Sequence, residues 1–433
     1  MDPRTPSEVE ATGTLPLRGD GSVPLTEEGP QAASTARPEW VDEARAGLTV
    51  PGKYLAYEDS GRRVVAPVSR EWTRIGRSLS ADVRFDDATV SRRHALVVNQ
   101  AEGVRVLDDR SLNGIFVNGR RVVSVSIGQW PSGVYFAQLT SGARIGYAPF
   151  VLRPRRLGEH PVAIVLPTQT WQAYNFRDDN GDGRSDTWYA GGSTARLARP
   201  FLNRGVPPHF KYYDAPFLRW ALQTGHDADY LSDADLNNTR SGARLRKAYE
   251  LLIFEGHHEY VTTHEYDVVS GFRNLGGNLM FLSANNFFWQ IVKHGNVMVR
   301  TRKWRDLGRP EASLIGVQYF GNDAGEHRKR WIVRPGARSP KWLLDGTDLT
   351  VGAQFSSGGI EADEIVSDSP KNVTLIAQLP NLFGNGHNAD MTYYESRAGA
   401  KVYAAGAFTV AGSVWEPHVR PLMENLWTHL SKD

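Results

Sequence analysis

With 433 residues, the chain is long enough for two folded units rather than one. It is 40% hydrophobic and 23% charged, as globular proteins are, and a formal net charge of +2 gives no electrostatic case for nucleic acid or a membrane surface as partner. Cysteine is absent, which excludes disulfides, Cys-ligated metals and thiolate nucleophiles. No apolar run is long enough to span a bilayer, and the opening Met1-Asp2-Pro3-Arg4-Thr5-Pro6 lacks the layout of a secretory signal, so a cytoplasmic location is expected.

Residues 1–40 are rich in proline, glycine and serine and hold no aromatic residue before Trp40. Such a segment buries too little apolar surface to offset its ordering entropy, and a disordered tail is expected. From Tyr54 to Leu152 the pattern becomes short alternating runs: Arg62–Val68, Ala95–Val98, Val104–Leu107 and Gly133–Ala137. Gly, Asp and Asn separate them and no helical period intervenes, which predicts an all-β sandwich. Residues 153–160 read as a linker.

From 161 to 433 the pattern changes again. A continuous apolar strand at Pro161–Pro167 is followed by a helix at Ala215–Thr224 closed by Gly225, strands at Ala228–Leu231 and Leu251–Phe254, a helix around Tyr266–Asn274 and a strand at Asn278–Ser283. Strands alternating with helices predict a largely parallel α/β, Rossmann-like sheet covered on both faces. Residues 296–410 are more β-like and are expected to be an insertion decorating that core. Val414–Leu430 reads as a closing helix.

Three short motifs fall in order in the first unit: Ile75-Gly76-Arg77-Ser78, Ser91-Arg92-Arg93-His94 and Ser111-Leu112-Asn113-Gly114. Brought together, they suit a phosphate dianion. Arg77 offers a forked guanidinium, Ser91 a hydroxyl and Arg92 a second cation, while Asn113 can hold the backbone of a bound peptide. Asn118-Gly119 is a tight-hairpin signal. The set resembles the forkhead-associated (FHA) domain family over about Tyr54–Leu152. That resemblance implies phosphothreonine-peptide binding through Arg77, Ser91, Arg92 and Asn113, with Gly76 and His94 shaping the loops. The phosphorylated partner is then another protein or the chain's own tail, where Thr26-Glu27-Glu28 is one candidate.

In the second unit the Leu251–Phe254 strand runs into Glu255-Gly256-His257-His258-Glu259-Tyr260, residues suited to metal ligation or proton transfer. Residues 160–433 resemble the carboxy-terminal domain of the N,N-dimethylformamidase large subunit. The matching pieces are Leu166–Asn175, Ala228–Leu236, Gly256–Tyr260, Gly276–Asn285 and Tyr394–Ala400. The resemblance implies a class I glutamine-amidotransferase-like fold whose nucleophilic cysteine is missing here. It also implies an iron held by two tyrosines and a glutamate beside a His, an Asn and a second Glu. By residue, Tyr174 and Glu259 would be iron ligands, and His257, Asn285 and Glu395 would line the reaction centre. The second tyrosine is expected near Arg199-Pro200-Phe201, where this chain has Phe201, with Tyr189 nearby in sequence. A small amide would be the substrate, hydrolysed at its C–N bond.

Between these pieces, Asp178, Asn180, Asp182 and Asp186 fall at the first, third, fifth and ninth positions of a calcium loop, with Gly183 at its turn and no carboxylate at the twelfth. Two functional readings stand side by side: a phosphothreonine-binding signalling or adaptor protein whose α/β unit binds or scaffolds, and an iron-dependent amidohydrolase recruited or regulated through its FHA module.

Overall fold

The computed structural model describes residues 39–432, apart from residues 60, 101–102, 110, 112–114, 118–119, 123–128, 142–143, 180 and 324. The tail expected to be disordered lies outside the described residues except for its last two, which open a helix at Glu39–Ala46. The chain divides into two compact units between Ile127 and Gly128.

The first unit is built of strands. Val83–Arg84, Trp72–Gly76, Ala95–Gln100 and Gly103–Asp108 lie side by side in one sheet, and Tyr54–Asp59 with Arg62–Pro67 and Ile115–Val117 with Arg120–Val122 form two hairpins. Alternation explains the central strand: Ala95 and Val97 are buried while Leu96 between them is half exposed. Val68, Val83, Val98 and Ile115 complete a small apolar core.

The hairpin Gly133–Ser141 with Arg144–Leu152, expected to close this sandwich, belongs to the second unit instead. Among the described residues its two strands pair only with each other. Ser132 Oγ accepts from Tyr230 N at 2.7 Å, and Phe136 packs on Phe210 with ring centroids 5.2 Å apart. Alternation in a strand says which residues face inward but not which core they face.

The second unit is organised around an 11-stranded mixed sheet. Asp229–Ser232, Val162–Leu166, Leu251–Phe254, Asn278–Phe281 and Lys401–Ala404 run parallel, in that spatial order. The inner three are buried along their whole length, which is why their sequences are unbroken apolar runs. Val162, Ile164 and Leu166 face one core with Trp220, Met423 and Leu426; Ala163 and Val165 face another with Val268 and Phe272. The closing helix, Val419–Leu430, covers the first face. The helix Ala215–Thr224 ends at Gly225 in the left-handed region, φ 74°, and Thr263–Asn274 opens with a Thr262/Glu265 capping box.

The β-rich stretch after residue 296 does more than decorate this core. Ala389–Glu395, Thr374–Leu379, Arg328–Val333, Gln354–Glu364 and Gln318–Asn322 continue the same sheet in antiparallel fashion, so strands outweigh helices in this unit. The expectation of a largely parallel sheet holds only for its first five strands. No helix among the described residues is long and apolar enough to cross a membrane.

Candidate functional sites

In the first unit the Trp72–Gly76 strand ends at Arg77, and the loop carrying Ser91 and Arg92 is fastened to it. Arg77 N donates to Ser91 O at 2.9 Å, Ser78 N to Arg92 O at 3.0 Å, and Arg77 Nε to Val90 O at 3.2 Å. Gly76 permits this approach, since a Cβ there would lie 2.3 Å from Arg92 O. His94 acts on the backbone: its Nδ1 accepts from Ser91 N at 3.2 Å, and its own N–H donates to Ile75 O. Arg93 turns away into a bidentate pair with Asp109 at 2.6 and 2.9 Å. Arg77 and Arg92 remain exposed on adjoining loops beside half-buried Ser91. Asn113, expected on the same rim, lies outside the described residues. Because the two loops meet backbone to backbone, Gly76→Ala should cost about 1–3 kcal/mol of stability through overpacking. Urea unfolding checks this, and an unchanged midpoint would mean that the loops can separate freely.

In the second unit a cavity of about 270 Å³ opens at the carboxyl ends of the parallel strands, where open sheets of this kind take their ligands. Tyr174 follows the helix Thr168–Ala173 that leaves Val162–Leu166; His257 and Glu259 follow Leu251–Phe254; Glu361 comes from Gln354–Glu364. Tyr174 Oη donates to Glu259 Oε2 at 2.7 Å, and His257 Nε2 lies 3.2 Å from Glu361 Oε2 and 3.6 Å from Glu259 Oε2. The His257–Glu361 approach is close but not aligned for a hydrogen bond, so both buried atoms lack a partner. Burial raises the Glu259 carboxyl to about 7, against the pull of His257. Burial, with Glu259 next, pushes the Tyr174 phenol well above its ordinary range. Burial alone would lower His257; Glu361, Glu259 and Asp363 outweigh it, and the net shift is upward.

Backbone strain gathers around the cavity. His209 (φ 59°) and Ile360 (φ 72°) line it, Thr409 (φ 88°) follows the lining residue Phe408, and Asn285 (φ 53°) lies just behind. A β-branched residue such as Ile360 adopts this conformation only when its surroundings enforce it, and such positions cluster at functional sites.

Of the residues expected here, Tyr174, His257 and Glu259 come together. Asn285 is buried, its backbone N–H donating to Asp363 Oδ1 at 2.8 Å and its side-chain oxygen without a partner. Glu395 does not join them. It sits at the exposed end of its strand, accepting from Tyr393 Oη at 2.7 Å, and Glu361 occupies the place expected of it. Phe201 is packed in the apolar core, whereas Tyr189 packs on Tyr174 with ring centroids 4.9 Å apart and bonds to Tyr260 Oη at 2.6 Å; Tyr213 lines the cavity with His209 stacked on it at 5.3 Å.

In the 178–186 loop the Asp178 carboxylate accepts from Gly181 N and Gly183 N, Asp182 accepts from Arg184 N, and Asp186 accepts from Asp179 N. Asn180 lies outside the described residues. Among the described residues no group of three or more His, Asp or Glu side chains is arranged to hold a metal.

Sequence and fold together define a two-part chain, an FHA domain matched at residues 73–130 and a dimethylformamidase-like unit after it. The family described as N,N-dimethylformamidase beta subunit-like, C-terminal, matches residues 122–418, and the chain belongs to it. The beta subunit of N,N-dimethylformamidase from Alcaligenes sp is 23% identical over 286 residues, which are 51% of this chain and 37% of that protein, so the chain spans well under half the length of this relative. The oxoglutarate dehydrogenase inhibitor of Corynebacterium diphtheriae is 36% identical over 111 residues, 26% of this chain and 73% of that one. The solved structure of Mycobacterium tuberculosis EmbR in complex with a low-affinity phosphopeptide is 34% identical over 16% of this chain and 19% of its own, with a TM-score of 0.15.

Proposed function

We propose that the first unit is a phosphothreonine-peptide-binding module of a signalling or adaptor protein, and that Arg77, Ser91 and Arg92 receive the phosphate. The carrying observation is the weld between the Arg77 and Ser91–Arg92 loops, which holds two exposed guanidinium groups and a hydroxyl on one rim before any ligand arrives. Preorganised charge-assisted donors of this kind are what a dianion rewards. Asn113 would fix the peptide backbone, and the EmbR phosphopeptide complex is consistent with this use of the domain. The ligand is a phosphorylated protein or the chain's own tail, and the reading includes a cytoplasmic location. Fluorescence anisotropy with a phosphothreonine peptide and its unphosphorylated and phosphoserine forms tests it. Equal affinity for the first two would sink the assignment.

A second reading concerns the other unit: an iron-dependent amidohydrolase on a class I glutamine-amidotransferase-like framework, acting on a small amide. The observation favouring it is the convergence of Tyr174, Glu259, His257 and Glu361 on one strained cavity. The donor set fits a hard trivalent cation, because a phenol and carboxylates supply anionic oxygens and the buried His257 and Glu361 atoms lack partners. Tyr174 and Glu259 would hold the ion, with Tyr189, packed on Tyr174, the tyrosine nearest to join them. When bound, iron supplies Lewis-acid polarisation of the amide carbonyl and a more acidic water. His257, set against Glu361, can hold a proton at Nε2 and pass it to the departing amine. The aromatic walls of the cavity exclude bulk water from an amide in it. Asn285, kept in place by Asp363, completes the polar surround. Glu361→Gln should therefore lower formamide hydrolysis by about 100-fold or more, as loss of a proton-handling partner does, while Glu395→Gln leaves it unchanged. Steady-state rates decide, and the reverse order would return the role to Glu395. A calcium ion in the 178–186 loop belongs to the same reading on the spacing of its oxygens, with an order-giving role for the segment after Tyr174.

A further inference from the structure

Beside the proposed iron ligands, the cavity holds a second acidic feature that neither the amide chemistry nor the metal uses. Asp214, just ahead of the helix Ala215–Thr224, forms part of the cavity wall and is 2% exposed; Glu255, at the end of Leu251–Phe254, lies against it and is 0% exposed. Asp214 Oδ1 and both oxygens of Glu255 have no hydrogen-bond partner. Gly256 makes their closeness feasible, because a Cβ there would meet Asp214 Oδ1 at 2.6 Å. An uncompensated buried carboxylate costs several kcal/mol, so such a pair persists when a proton or a cation offsets it. Burial raises both carboxyls, Asp214 to about 7.

The surroundings say which cation would fit. Among the described residues no lysine or arginine lines the cavity, whose basic side chains are His209 and His257, and its aromatic walls are Trp171, Tyr213 and Phe408, the last two edge to face at 5.1 Å. Aromatic faces combined with an unpaired carboxylate form the arrangement that recognises an alkylammonium or guanidinium group. We propose that this cavity takes amides bearing an organic cation, seated between Asp214 and the aromatic walls. The preferred substrate is then a cationic N-substituted amide, ahead of neutral and acidic ones. This rests on the amide-site reading for the acyl half of the ligand alone; the cationic half is read by binding, without turnover.

Isothermal titration of the full chain at constant ionic strength tests the proposal. The probes are N-acetylputrescine, its neutral counterpart N-pentylacetamide, the anionic N-acetyl-5-aminopentanoate, and butylammonium, which has no amide. The cationic amide should bind at least about tenfold more tightly than the neutral one, the worth of a partly desolvated cation contact, and the anion should bind weakest. Asp214→Asn should reduce the preference to within about threefold, with neutral-amide affinity retained as the check on folding. If butylammonium matched N-acetylputrescine, the cation site would stand and the amide reading would fall. Equal binding of cationic and neutral amides by the unaltered chain, no binding of any probe, or a preference that survives Asp214→Asn would each overturn the proposal.

Discussion

Replacing Tyr174 by Phe together with Glu259 by Gln should empty the second unit of iron. The purified chain is expected to carry close to one iron per molecule, and the double variant to lose at least about 10–100-fold in affinity, since loss of supporting residues alone has that effect at metal sites. The reason is chemical. Tyr174 Oη and Glu259 Oε2 lie 2.7 Å apart inside a buried wall and are the two oxygens able to become anionic ligands together. Burial raises both and so disfavours their charged forms, a bias that a trivalent ion would reverse. The substitutions preserve shape, so urea unfolding should change little. Iron bound equally by both proteins would show that the metal, if any, sits elsewhere. Removing iron with a chelator should abolish formamide hydrolysis and leave phosphopeptide binding intact.

Arg77→Ala should weaken phosphothreonine-peptide binding by roughly 10–150-fold, because a charge-assisted hydrogen bond is worth about 1.5–3 kcal/mol. Arg93→Ala is the matched control, since that guanidinium is already engaged by Asp109 on the same loop system. If both changes had the same small effect, the phosphate would be held by diffuse charge rather than by a built site. Calorimetry on the two variants separates the cases.

How much of this could be read from the chain depended on how local each signal was. The meeting of the two loops in the first unit was legible because Gly76-Arg77 and Ser91–His94 are short motifs whose geometry is set by backbone bonds between adjacent loops. The parallel core was legible for a similar reason: Val162–Leu166, Leu251–Phe254 and Asn278–Phe281 are buried on both faces and so appear as continuous apolar runs.

Glu361 was missed because it reaches His257 from a strand about a hundred residues further along, with no motif around it. A signal was present nonetheless: Glu361 and Asp363 stand two apart on either side of Ala362 in one strand, which puts two acids on one face and demands a reason. Glu395 misled because its surrounding motif is a strand end, where the carboxylate meets only Tyr393. Tyr213 lies on a four-residue helix after a left-handed His209, a geometry that no periodicity announces. The hairpin at 133–152 was placed in the wrong unit because alternation is blind to partners.

Amide chemical-shift mapping on isotope-labelled chain, titrated with a phosphothreonine peptide, would locate the phosphate directly. The largest changes should fall on Arg77, Ser78, Ser91 and Arg92, and the unphosphorylated peptide should leave them still. Shifts concentrated elsewhere, or identical for both peptides, would contradict the docking role.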